Sequence, residues 1–371
     1  MVAENPTQSR LTTHLYNREQ ALGARFGLSF GWEMAAAYGD PAEEHRQVRA
    51  LVGIVDLSSH GAIRIGGKEG TQFLNGLITN DVKTLQKGKG IRAAFLTPHG
   101  KVIALCRILG HGEDVLIITD PQTHEKTYKY LFPFTYAGDF TAEDVSDNYR
   151  MLSVQGPRSL QVLKEVCFEP VPSLDEYSWI ETIIGGHHAI VTRHSHTGET
   201  GYDILVSADG LADVWDFLLM KGAFHSIVPF GYEALNSLRI EAGIPIYGVD
   251  ADESNMVLEI GLADAVSFTK GCYKGQEPVV MATHRGHVSK KLSGLELEGD
   301  AVPSPGDKIN ASGKDVGQVT SALASPTLGR VIAMGYIKYG FFEVGKDVEI
   351  LTSSGNAAAR IVDMPFYNPA P

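Results

Sequence analysis

The chain has 371 residues, of which 43% are hydrophobic and 20% charged, with a formal net charge of −12. That length predicts two or three domains, and the acidic balance excludes a general binder of nucleic acid or anionic membrane. Cys106, Cys167 and Cys272 are too few and too far apart for a disulfide framework, no apolar run reaches the ~18–20 residues that span a bilayer, and Met1–Thr13 lacks a basic-then-apolar leader, so a cytoplasmic protein is expected.

The first predicted element is a helix opening at Asp40-Pro41. Asp40 suits the cap, Pro41 the first turn, and Glu43 and Glu44 the positive end of the dipole; Gly53 is expected to end it. Ile63 and Ile65 alternate as in a half-buried strand. Lys68–Ile78 reads as a second helix through Phe73, Leu74, Leu77 and Ile78. Strands are expected around Ala93–Leu96 and Val102–Leu109, joined at Pro98-His99-Gly100, and again at Met151–Val154 and His188–Val191. Leu211, Val214, Trp215, Leu218 and Leu219 lie at helical spacing, and Lys221-Gly222 closes that helix. Another runs from about Tyr232 to Ala242, stopped by Gly243 and Pro245. Beyond about Ser289, turn clusters separate short apolar runs, which predicts a small all-β domain.

The segment Lys270-Gly271-Cys272-Tyr273-Lys274-Gly275-Gln276-Glu277 is the most informative in the chain. Two glycines permit a tight backbone, and two lysines favour thiolate over thiol at Cys272. The competing reading is a strand-to-helix turn with a small buried thiol. Cys272, His284 and His287 match no structural zinc spacing, so no metal site is assigned. Thr197-Gly198-Glu199-Thr200-Gly201-Tyr202-Asp203 is either a plain hairpin turn or a loop aiming Glu199 or Asp203 into a cleft.

These pieces resemble the folate-binding aminomethyltransferase superfamily, which includes the glycine cleavage T-protein and the YgfZ proteins. The resemblance rests on Gly31-Trp32-Glu33-Met34, Asp56-Leu57-Ser58, Thr79-Asn80-Asp81-Val82, Gln155-Gly156-Pro157, Thr197-Gly198-Glu199 and Leu238-Arg239-Ile240-Glu241-Ala242-Gly243, in that order. Gly317–Ser321 and Met364-Pro365-Phe366-Tyr367 add to it. The complete Lys-Gly-Cys-Tyr-x-Gly-Gln-Glu signature, with Arg285-Gly286-His287-Val288 after it, is similar to the YgfZ branch.

The resemblance implies an α+β, T-protein-like multi-lobed folate-binding fold. Two intertwined lobes over 1–288 would precede a small C-terminal β-barrel over 289–371. Tetrahydrofolate or a derivative is the implied cofactor, with His60, Asp203, Leu235 and Glu199 at its pocket. His60 stands where the T-protein has methionine and YgfZ tryptophan; Leu235 stands where they have arginine and tryptophan. Ala104 falls at the T-protein's catalytic aspartate, which weighs against aminomethyl transfer. The reading favoured by the resemblance is a YgfZ-like accessory protein for iron–sulfur cluster assembly or repair. Cys272 would be its reactive thiolate, Lys270 its activator and iron–sulfur client proteins its partners. The alternative is a folate-dependent aminomethyl- or methyltransferase acting on a small metabolite.

Overall fold

The computed structural model describes residues 11–369, apart from 137 and 354. The segment 1–10, which holds most of the stretch argued to lack a leader, lies outside the described residues. Among the described residues no helix is long and apolar enough to cross a membrane.

Two mixed lobes and a barrel make up the molecule. The first lobe holds a six-stranded sheet in the order Trp179–Ile184, His187–Arg193, Gly201–Val206, Arg150–Gln155, Gly53–Asp56, Val228–Pro229. The second holds a five-stranded sheet in the order Gly90–Leu96, Val102–His111, Asp114–Thr119, Gly61–Gly66, Thr141–Asp144. Each sheet buries one face under its own helices. Ser159–Val166 and Ala208–Gly222 cover the first through Val162, Leu163, Val214 and Trp215. Gly70–Leu77 and His124–Leu131 cover the second through Leu74, Leu77 and Leu131.

The other face of each sheet turns toward the other lobe. Strand side chains alternate between faces, so Ile117 enters the second lobe's own core while Leu116 and Ile118 meet Leu205, Ile190 and Leu57 from the first. Burying each such side chain contributes about 1.5–3 kcal/mol, so the interface is a core in its own right. A six-stranded closed barrel runs from Lys290–Leu297 to Gly355–Val362. A buried cluster clasps it to the lobes: Arg49 pairs with Glu199 and Glu241, and Glu241 also accepts from Thr327 Oγ1 at 2.7 Å and from Ser325. Burial pushes the Glu241 carboxyl up, but hydrogen bonds from His45, Ser325 and Thr327 outweigh it and hold it at about 2.

Most predicted elements appear, with shifted ends. The first helix is Pro41–Ala50, with Asp40 Oδ1 accepting from the Ala42 amide at 3.2 Å. Gly53 does not cap it. It opens a strand, and a Cβ there would fall 2.5 Å from the Phe230 ring. Gln276–Arg285, directly after the cysteine motif, is a helix, as the competing reading of that motif as a turn into a helix has it.

Candidate functional site

Where the two sheets diverge they leave a cavity of about 240 Å³. Its apolar wall includes Phe30, Leu57, Leu105, Ile118, Leu235 and Leu262; its polar wall includes His60, Arg92, Arg107, Asp120, Gln122, His194 and His196. His60 and Leu235, both expected at a pocket, line it. Neither Asp203, Glu199, Cys272 nor Lys270 does.

Asp203 lies directly behind the wall. It sits on the inward face of Gly201–Val206, fully buried, opposite Ser153 on one neighbouring strand and Thr192 on the other. Its carboxylate accepts from Ser153 Oγ at 2.6 Å, from His196 Nε2 at 3.0 Å and from the Arg107 guanidinium. Burial alone would raise this carboxyl; His196 and Arg107 reverse the sign and hold it well below the usual range. These donors fix the carboxylate, which in turn orients Arg107 and His196. Asp203, expected at the pterin, thus stands behind the cavity lining rather than in it.

The strand Val102–His111 explains the arrangement and one further correction. A bulge between the partners of Phe95 and Leu96 sets its alternation. Ala104, Cys106 and Ile108 enter the second lobe's core, while Leu105 and Arg107 face the cavity. Ala104, fully buried, is therefore not the cavity-facing position; Leu105 is. Neither carries a carboxyl. The acid comes from the adjacent strand. Thr119 pairs with Cys106, and Asp120, the next residue, opens into the cavity.

Asp120 and His60 are neighbours, with His60 Nε2 3.7 Å from Asp120 Oδ1. His60 Nδ1 donates to Leu57 O at 3.0 Å, which leaves Nε2 as the lone-pair nitrogen facing the cavity. Burial, with the charges of Arg107 and His196, lowers His60 to about 3, so it is neutral near pH 7. Burial raises the Asp120 carboxyl, against the pull of Arg107, His196 and Arg92. A neutral imidazole beside a carboxyl of raised proton affinity can take up or return one proton at a reacting centre. Gln122 reaches the same wall; its Nε2 donates to Tyr247 O at 3.1 Å while its buried Oε1 has no partner.

The cysteine motif lies elsewhere. Cys272 is exposed. Lys270 is 9% exposed, and its ammonium donates to the carbonyls of Asn75, Ile78 and Asn80 at 2.6, 3.0 and 2.7 Å. It closes the C-terminal end of the helix Gly70–Leu77, where such carbonyls lack partners. Burial lowers it to about 8. Lys270, expected to activate the thiol, thus has its ammonium bonded to three backbone carbonyls. Lys274 lies over the Tyr130 ring at 4.6 Å. Glu199 is likewise engaged, bonded to Arg49 at 3.0 Å.

Arg92, Arg107, Asp120 and His196 were missed from the sequence. Arg107 left a signal, since an arginine within the apolar run Val102–Leu109 requires a buried partner. Asp120 before Pro121 looks like ordinary turn chemistry.

Two family models together cover nearly all of the described chain: the GCVT N-terminal domain over residues 15–270 and the glycine cleavage T-protein C-terminal barrel domain over residues 290–368. Curated relatives include the aminomethyltransferase of Halothermothrix orenii, 31% identical over 95% of this chain and 99% of its own. That of Rubrobacter xylanophilus is 33% identical over 96% of this chain and 94% of its own. The crystal structure of glycine cleavage system aminomethyltransferase T from Bartonella henselae matches the fold with a TM-score of 0.90, at 23% identity, over 97% of this chain and 99% of its own. The expected α+β fold with its terminal barrel is borne out, and tetrahydrofolate is the cofactor of this family. The chain belongs to the glycine cleavage T-protein, or aminomethyltransferase, family.

Proposed function

We propose that this protein is a tetrahydrofolate-dependent aminomethyl- or methyltransferase acting on a small amine in the inter-lobe cavity. The observation that carries this reading is Asp120: a carboxyl in the cavity lining, 3.7 Å from neutral His60 and raised in proton affinity, in a cavity walled by both lobes. The near-complete overlap with curated aminomethyltransferases supports it.

The cavity's chemistry fits a reduced pterin. Leu57, Leu105, Leu235 and Leu262 offer apolar surfaces to a flat ring, and the unpartnered Gln122 Oε1 offers an acceptor to its amino edge. Tetrahydrofolate, when bound, supplies the nitrogen that receives the one-carbon unit and gives up a proton. As the donor's carbon–nitrogen bond breaks, Asp120 would accept that proton and pass it to the departing amine, His60 Nε2 would lie next to it as a relay, and Arg107 would stay fixed by Asp203.

The test is direct. The full chain is incubated with tetrahydrofolate and isotopically labelled aminomethyl or methyl amines, and the folate pool is read by mass spectrometry. Label appearing in folate at a rate dependent on the protein supports the reading; label confined to the donors across the panel contradicts it.

A second reading is favoured by Cys272, exposed within the complete YgfZ-like signature. In it, the protein supports iron–sulfur client enzymes in the cytoplasm through that thiol. Its test is restoration of iron–sulfur enzyme activity in cells lacking the gene, which Cys272→Ala should fail to give. The boundary near residue 288 belongs to both readings, supported by a barrel whose first strand opens at Lys290.

A further inference from the structure

Two arginines face the cavity from neighbouring strands, and their surroundings differ. Arg92 on Gly90–Leu96 is the direct cross-strand partner of Arg107 on Val102–His111. Like charges so placed repel. Arg107 is compensated by the buried carboxylate of Asp203. Arg92 has one ion pair among the described residues, with Asp264 Oδ2 at 3.5 Å, and that carboxylate is 52% exposed. No side-chain hydrogen bond closer than this holds the Arg92 guanidinium, which lies 5.6 Å from the Tyr177 ring centroid. Asp120 is the one acidic residue in the cavity lining, against Arg92 and Arg107. Of the two guanidinium groups on the polar wall, that of Arg92 is therefore the more weakly held, by an exposed acid a ligand carboxylate could displace.

We infer that Arg92 is a carboxylate anchor, and that the cavity takes a ligand bearing a planar monoanion held by the Arg92 guanidinium. Guanidinium presents parallel N–H groups that match a carboxylate in a bidentate pair. A single positive charge, paired only with the half-exposed Asp264, matches a monoanion better than a phosphate dianion. This rests on the transferase reading, which offers two sources of such a carboxylate: the glutamate tail of the folate, or the acid group of a free amino-acid donor. The anchor itself is the same for both.

The test is calorimetric binding by the full chain of three probes: tetrahydrofolate, 6-methyltetrahydropterin (the ring without a carboxylate) and N,N-dimethylglycine. Arg92→Gln should weaken at least one carboxylate probe about tenfold or more and leave 6-methyltetrahydropterin within about twofold. Loss confined to tetrahydrofolate assigns the anchor to the folate tail; loss confined to N,N-dimethylglycine assigns it to the donor. Asp264→Asn removes the competing acid and should tighten the same probe roughly threefold, a gain that a misfolded variant cannot imitate. Native protein that binds N,N-dimethylglycine through Arg92 but neither pterin would overturn the folate reading and leave the anchor standing. The anchor is overturned if Arg92→Gln binds every probe as the native chain does, or weakens 6-methyltetrahydropterin equally. Native protein that binds neither carboxylate overturns it too. If Arg92→Gln does not fold, the absence of tightening in Asp264→Asn overturns it.

Discussion

The inter-lobe cavity and the Lys270–Glu277 loop contain similar reactive side chains but put them in opposite physical settings. At the cavity wall, Asp120, His60 and Arg107, with Asp203 behind them, lie close enough that charged and buried neighbours alter each other's protonation. In the loop, Cys272 is exposed, and one of the two motif lysines, Lys270, spends its donors on three helix-end carbonyls. A cysteine between lysines is more conspicuous in sequence than an aspartate before a proline. The fold places the perturbed acid–base chemistry around the aspartate.

The comparison can be broken or sharpened by variants in each region, from the largest expected effect down. Arg107→Met leaves Asp203 as a buried carboxylate with only His196 and Ser153, and should cost about 3–5 kcal/mol in chemical denaturation. A cost under about 1 kcal/mol would mean that the pair is not what orders the cavity wall. Acid should act next. His60 is held near 3 in the folded chain against 6.5 ordinarily, so its contribution is whole above pH 6.5 and lost as pH falls from 6.5 toward 3. By pH 4 that loss is roughly 3 kcal/mol, and His60→Gln should flatten the decline of Tm over this window.

On the loop side, Lys270→Met strands three carbonyls and should destabilise the protein by about 2 kcal/mol, while alkylation of Cys272 keeps its rate. Slower alkylation at unchanged stability would restore Lys270 as the activator of the thiol. Smallest of all, Cys272→Ala should leave the denaturation midpoint within about 0.5 kcal/mol, as for an exposed side chain without buried partners.

Much of the architecture was legible because local rules suffice for it. Helical spacing marked Ala208–Gly222, and turn clusters marked the barrel. The glycine at 53 misled, because the same residue type serves a helix end and a close strand–ring contact. The site was less legible. Whether residue 104 or 105 faces the cavity depends on a bulge, which moves every later side chain to the other face. That Arg107 would meet Asp203, 96 positions away in the chain, depends on how two sheets oppose each other. Nothing in either local segment encodes that meeting. Motif matching placed Asp203 at a pocket and reached the right neighbourhood; only packing shows that its carboxylate is bonded to Arg107, Ser153 and His196 behind the wall.

The most direct measurement compares Asp120→Asn with Cys272→Ala in the transfer of labelled carbon to tetrahydrofolate, both checked for native folding. The expected result is a kcat reduced about a hundredfold or more for Asp120→Asn, the usual scale for losing a proton-transfer group, and native turnover for Cys272→Ala. Native turnover in Asp120→Asn with turnover abolished in Cys272→Ala would move the chemistry out of the cavity and into the loop.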